Sequence, residues 1–114
     1  MKTAPEAGAI LTVLHLPDTR TNREQLTVLV ECLKIFDERN SKYKDLWKEV
    51  GQDDNLHHMK HKVARVDMMF RSGETDVDDA LDLINYAVFF IRNGRTQDER
   101  VRDDGTTHTP LPNA

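Results

Sequence analysis

The segment from Thr75 to Gly94 constrains the fold of this chain most, because its apolar residues fall on two sides of a helix. With residues placed at 100° intervals, the main apolar face contains Val77, Leu81, Ile84, Val88 and Ile91. The opposite side carries Leu83, Phe89 and Phe90. A helix that is apolar on two sides lies inside a bundle, so we expect the acidic residues it carries to be buried.

Those acidic residues form a narrow stripe in which Asp79, Asp82 and Tyr86 follow one another at i, i+3 and i+7. Buried carboxylates repel one another and lose hydration, and the usual remedies are a raised pKa, a cationic partner or a hard divalent metal such as Mg²⁺. In the alternative interpretation, Asp76, Asp78 and Asp79 favour the helix N-terminus and Asp82 lies in solvent.

Two more segments have helical spacing and give the fold class. The first begins at a cap at Thr21 or Asn22 and ends near Arg39, and the second runs from Asp53 or Asp54 to Ser72-Gly73, with Met59, Val63, Val66 and Phe70 on one stripe. A short helical turn with Trp47 in the core is expected between them. We therefore predict an all-α fold, a small bundle of three main helices plus one short helix.

The two ends of the chain have a different composition. Residues 1–20 contain Pro5, Gly8, Pro17 and a β-like run from Ile10 to Leu16, which predicts a flexible N-terminal arm with one extended segment. Residues 21–94 form the predicted helical domain, whose last helix stops at Asn93-Gly94. Residues 95–114 are polar and rich in charge, which predicts a disordered tail.

Composition excludes several classes of protein. Cys32 is the single cysteine of the 114 residues, which rules out an internal disulfide or a thiolate zinc cluster and indicates a reducing, cytoplasmic compartment. No run approaches the ~18 to 20 apolar residues that span a membrane. With a net charge of -4 and no basic patch, polymeric nucleic acid is not an expected partner, but a single triphosphate needs only a metal and a few cations.

Other charged residues are candidates to complete a site around the acidic stripe. On the first helix, Glu31 and Glu38 are seven residues apart on one side and are candidate metal ligands, although a solvated acidic face is the alternative. On the second helix, Lys62 and Arg65 flank the apolar stripe at i and i+3, where they can neutralise the carboxylates or bind phosphates. A plain interhelical salt bridge is the alternative for this pair.

Two remaining features carry weaker signals. His57, His58 and His61 include two histidines one turn apart, a spacing that binds Zn²⁺ or Ni²⁺, but no third ligand is evident, so we expect surface histidines. Cys32 lies among apolar residues of the first helix without a basic neighbour at contact spacing, which predicts an inert core thiol.

The stretch from Asp79 to Tyr86 resembles the second metal-binding motif of the MazG-like all-α nucleoside triphosphate pyrophosphatases, with Asp79 where that family usually has glutamate. The segment Phe36–Tyr43 with Leu46-Trp47, followed by Lys62–Arg65, resembles the related nucleotide-modification-associated domain of phages and bacteria. The resemblance covers Glu24 to Arg92. It departs in the first motif, where paired glutamates followed by a third would be expected and this chain has Glu31 and the Asp37-Glu38 pair at wider spacing.

The resemblance implies Mg²⁺, a nucleoside triphosphate substrate hydrolysed to the monophosphate and pyrophosphate, and a homodimer or homotetramer. It implies metal ligands at Asp79, Asp82, Glu31 and Glu38. It further implies catalytic roles for Glu38, Lys62 and Arg65, and nucleotide contacts from Lys62, Arg65, Asn85, Tyr86 and Trp47. The alternative is a module of the same fold that binds a nucleotide without hydrolysing it, or that binds another protein.

Overall fold

The computed structural model describes residues 1–103 and, within that range, the side chains of residues 1–99. Its helices are α1 (Ala7–Val13), α2 (Arg20–Tyr43), a 3₁₀ helix (Leu46–Glu49), α3 (Gln52–Arg71) and α4 (Val77–Asp103). No strand occurs in this part of the chain. The predicted all-α class is confirmed, as is the short helical turn before α3. The chain divides into two compact units, Met1–Lys44 and Asp45–Ala114.

The first unit contains α1 and α2. Helix α2 begins where the Thr19 hydroxyl accepts a hydrogen bond from the backbone N–H of Asn22 at 3.1 Å, so the cap lies a few residues before the predicted cap at Thr21 or Asn22. Helix α1 buries Ala7 and Leu11, which are one turn apart, and the backbone N–H of Ala4 donates to the Thr27 hydroxyl at 2.7 Å. These contacts hold the first residues of the chain against α2.

The predicted extended segment from Ile10 to Leu16 is wrong. Ile10 to Val13 belong to α1, and the helix ends just before His15, whose φ of 58° is left-handed. The β-branched residues that suggested a strand are overridden by the burial of Ala7 and Leu11 on one helical face. The start of the chain is therefore helical where we expected an arm with an extended run.

In the second unit, α3 and α4 pack along each other. Every residue of α3 that is buried or half-buried recurs at a spacing of three or four, as in a coiled-coil seam: Gln52, Asn55, Met59, Lys62, Val66 and Met69. Hydrogen bonds and ion pairs from three of these residues reach α4. The turn between the helices passes through Gly73 at φ 86°, a conformation that glycine adopts without strain.

The predicted apolar faces of these two helices are only partly buried. Val63 and Phe70 are 52% and 73% exposed, and Val77, Val88 and Ile91 are each about half exposed, whereas Leu81 is buried. The side of α4 that packs against α3 is instead the one that carries Asp79, Asp82 and Asn93. Polar side chains on α3 form hydrogen bonds and ion pairs with these groups. The contact between α3 and α4 is therefore lined by polar residues, whereas the helical periodicity alone predicted that the apolar face would be buried there.

Helix α4 does not stop at Asn93-Gly94 as predicted. Asn93 uses its side chain in hydrogen bonds inside the unit, and Gly94 lies so close to the Gln52 side chain that a Cβ there would collide with it. Gly94 is thus a site of close approach inside the helix. Residues 95–103 of the predicted disordered tail are helical, and residues 104–114 lie outside the described residues.

Helix α2 is also longer than predicted, because it continues past Arg39 to Tyr43 and ends at Lys44 in the left-handed conformation. Asn40 and Ser41, which suggested a helix end, are accommodated inside the last turn, where the Ser41 hydroxyl donates to the carbonyl of Glu38 at 2.6 Å. Among the helices of residues 1–103, none has the length and apolar content needed to cross a membrane.

Candidate functional site

An ion cluster of Lys62, Arg65, Asp79 and Asp82 lies where α3 meets the first turns of α4. The Lys62 ammonium is 2.8 Å from Asp79 Oδ1 and 3.0 Å from Asp82 Oδ2, and Arg65 Nε is 2.9 Å from Asp79 Oδ2. Asp79 is 6% and Asp82 is 9% exposed. The predicted burial is therefore confirmed for Asp79 and Asp82, although Asp78 on the same helix is exposed, and the alternative that Asp82 lies in solvent is wrong.

Local structure places each member of the ion cluster. The Asp76 carboxylate accepts the backbone N–H of Asp79 at 3.0 Å and caps α4, and Asp76 is one of the two residues, with Thr75, at which the sequence predicts the cap of this helix. Asp79 and Asp82 then follow on one face at i and i+3, and Lys62 and Arg65 are spaced in the same way on α3. Two cations and two carboxylates therefore meet across a single helix–helix contact.

The ion cluster keeps Asp79 ionised. The hydrogen bond from Lys62 is the main cause that lowers the pKa of the Asp79 carboxyl below its usual value, and Arg65 adds to it. The same hydrogen bond raises the pKa of Lys62. Asp76 behaves in the opposite way, because its interaction with the Asp79 carboxylate raises the Asp76 pKa. The pKa values of two neighbouring aspartates are thus shifted in opposite directions.

These pKa shifts predict how stability depends on pH. The contribution of Asp79 is complete above its usual pKa of 3.8 and is lost as pH falls through its lower native pKa, whereas that of Lys62 is lost only as pH rises through a native pKa above 10.5. The raised pKa of Asp76 opposes the loss in acid. We expect Asp79→Asn to flatten the acid limb of a plot of unfolding free energy against pH, measured by urea denaturation. An unchanged acid limb in this variant would contradict the assignment.

A row of aromatic rings lies beside the ion cluster. Tyr86 stacks on His58 with centroids 4.9 Å apart and meets the edge of Phe89 at 5.6 Å, and Phe89 stacks on Trp47 at 4.6 Å. The Arg92 guanidinium lies 5.3 Å from the Trp47 ring centre. Trp47 was expected in the core but is half-buried: it packs against Phe89 of α4 while part of its surface stays accessible.

The sequence-based interpretation missed an amide cluster of Gln52, Asn55 and Asn93. The Asn93 amide nitrogen lies 3.1 Å from Asn55 Oδ1, 3.0 Å from the carbonyl oxygen of Val50 and 3.3 Å from that of Trp47. Gln52 donates to the carbonyl of Phe90 at 2.9 Å. Asn55 is 2% and Asn93 is 9% exposed. The spacing of the two asparagines was the signal in the sequence. Asn55 is seven residues from Lys62 and Asn93 is seven residues from Tyr86, so each asparagine lies on the same side of its helix as a predicted site residue.

The other predicted site residues are distributed as follows. Asn85 is half-buried on α4, and Glu31 and Glu38 are exposed on α2 in the first unit. The roles of these three residues stay predictions from the resemblance. Among the described residues, no group of three or more histidine, cysteine, aspartate or glutamate side chains is placed to hold a metal ion. Cys32 is buried, as predicted for a core thiol.

A cavity of about 470 Å³ opens beside the ion cluster, at the junction of α3 and α4. Its lining includes Arg65 and Asp79, which belong to the ion cluster, together with two methionines, Met68 and Met69. The cavity is of the size that small-molecule sites have in proteins. The ion cluster therefore borders an open depression on the side of Arg65 and Asp79.

Comparison with known proteins does not assign the chain to a family. No protein-family model matches it, and no curated protein or solved structure is significantly similar to it. The resemblance to the MazG-like pyrophosphatases therefore depends on the motif residues, and the activity that it implies is a proposal.

Proposed function

We propose that this protein hydrolyses a nucleoside triphosphate to the monophosphate and pyrophosphate in a Mg²⁺-dependent reaction of nucleotide-pool metabolism, as a homodimer or homotetramer. The observation that carries the proposal is the pair of buried carboxylates, Asp79 and Asp82, whose oxygens lie 2.8 and 3.0 Å from one ammonium nitrogen. Two buried carboxylates that converge on one cationic position favour binding of a hard cation. The resemblance of the same residues to a pyrophosphatase motif supports this interpretation.

The residues fit Mg²⁺ in the way that nucleotide enzymes use it. Such sites hold the ion through one or two carboxylates and complete its shell with water and substrate phosphates. Asp79 and Asp82 supply two carboxylates on adjacent turns of one helix. When bound there, the ion would neutralise phosphate charge and activate water.

Lys62 and Arg65 supply the positive charge that a triphosphate requires. Both now bond to carboxylates, and Arg65 is 64% exposed, so its guanidinium can turn to phosphate oxygens while its backbone stays fixed. Water adds across the α–β linkage, the bond from the α-phosphorus to the bridging oxygen breaks, and pyrophosphate leaves. Tyr86 and Asn85 are proposed to orient the nucleotide, and the accessible part of Trp47 to contact it.

The direct test is pyrophosphate release from a panel of ribo- and deoxyribonucleoside triphosphates, with Mg²⁺ and with chelator. We expect turnover that requires Mg²⁺, and we expect Asp82→Asn to abolish it, because the variant keeps the shape of the side chain but removes its charge. Asp67→Asn is the matched control, since Asp67 is an exposed partner of Arg71 on α3. Undiminished turnover by Asp82→Asn would exclude the proposed role.

A second candidate function is a helical protein-interaction module, and the observed ion pairs favour it. Lys62 forms ion pairs with Asp79 and Asp82, and Arg65 forms one with Asp79, which is the arrangement that a purely structural contact between two helices requires. This candidate predicts no change in melting temperature with Mg²⁺ or nucleotide, whereas a ligand that binds the native state raises it. A nucleotide-dependent rise without turnover would indicate a module that binds nucleotides without hydrolysing them.

A further inference from the structure

The histidines of α3 have no part in the proposed reaction. His57 and His61 are one helical turn apart, and their ring centroids are separated by 4.5 Å with the ring planes at 67°. Both side chains are exposed, so an ion in solution reaches them without any change in packing. The His58 ring stacks on Tyr86 at 4.9 Å and meets the His57 ring edge-on at 5.9 Å.

Two imidazoles at this spacing have the chemistry of a chelating pair. Neutral imidazole nitrogen is a ligand for Zn²⁺, Ni²⁺ and Cu²⁺, whereas Mg²⁺ prefers oxygen. Because both rings project from one rigid helix, the first bond to an ion brings the second nitrogen into reach, and water completes the coordination shell.

We propose that His57 and His61 form a two-histidine binding site for a divalent transition-metal ion of the Zn²⁺, Ni²⁺ and Cu²⁺ class. The site is separate from the ion cluster in ligand chemistry but adjacent to it in the chain. Lys62, which bonds to Asp79 and Asp82, directly follows His61. An ion bound to both histidines spans the turn of α3 that directly precedes Lys62.

The experiment is a titration of the full chain with ZnCl₂ at neutral pH, followed by calorimetry and by NMR of the histidine rings. We expect one Zn²⁺ per chain, with shifts concentrated on the rings of His57 and His61, and no comparable shift with MgCl₂. Both His57→Gln and His61→Gln should lower the association constant at least about tenfold, equivalent to roughly 1.4 kcal/mol.

His58→Gln is the matched control, because it removes an imidazole from the same turn, one whose ring lies 5.9 Å from that of His57, and keeps both imidazoles of the chelating pair. We expect it to bind Zn²⁺ as the unaltered chain does. Equal loss of affinity in all three variants, or full affinity in His57→Gln and His61→Gln, would overturn the proposal, as would the absence of ring shifts in the unaltered chain. None of these measurements depends on nucleotide hydrolysis, so this site and the proposed function fail or succeed separately.

Discussion

Replacing Asn93 by alanine is expected to lower the free energy of unfolding by about 2 to 4 kcal/mol. The amide nitrogen of Asn93 lies within hydrogen-bonding distance of three oxygens, of which Asn55 Oδ1 belongs to a side chain only 2% exposed. Removing the amide leaves acceptors in the unit without their donor. The gain in helix propensity from asparagine to alanine, at most about 0.7 kcal/mol, does not offset this loss.

Urea denaturation followed by circular dichroism measures the effect. Gln97→Ala is the control, since Gln97 is an exposed amide on the same helix and its replacement should change stability by no more than about 0.5 kcal/mol. If the two variants unfold at the same urea concentration, the amide cluster does not stabilise the packing of α3, α4 and the 3₁₀ helix. A drop confined to Asn93→Ala assigns the stabilisation to this side chain.

The fold class could be predicted from sequence because helical spacing and capping residues are local signals. Asp76 caps α4, and the turn at Ser72-Gly73 ends α3, as the sequence indicated. The end of α4 could not be predicted in this way. Asn93-Gly94 has the composition of a helix end, yet the helix continues through Gly94, which closely approaches the side chain of Gln52, a residue about forty positions away. Only the three-dimensional contact distinguishes a glycine that ends a helix from one that allows a close approach inside a helix.

The candidate site was predictable in part. The apolar flanks of Asp79 and Asp82 correctly indicated burial, and the i, i+3 spacing of Lys62 and Arg65 correctly placed cations near them. Which side of α4 packs against α3 was not predictable from hydrophobicity. The helical periodicity predicts that Val88 and Ile91 are buried, but both are about half exposed. The face of α4 that packs against α3 depends on polar partners in α3, and the residue pattern of α4 alone does not contain them.

The second large effect is expected for Lys62→Met, which keeps the length and apolar stem of the side chain but removes the ammonium. Asp79 and Asp82 both lose their shared partner, and Arg65 remains only for Asp79. Removing one partner of a buried ion pair costs roughly 3 to 5 kcal/mol, and because Lys62 is 19% exposed we expect about 2 to 4 kcal/mol here. Lys60→Met, at an exposed position of the same helix, should be nearly neutral.

Two further measurements separate this electrostatic effect from a packing defect. The deficit of Lys62→Met should shrink as pH falls, because without Lys62 the Asp79 pKa loses its main lowering cause and the carboxylate protonates more readily. Adding Asp79→Asn and Asp82→Asn to Lys62→Met should restore most of the lost stability, since the two buried charges that Lys62 compensates are then removed as well. A deficit that is independent of pH and persists in the triple variant would mean that Lys62 stabilises the α3–α4 contact through its methylenes rather than its charge.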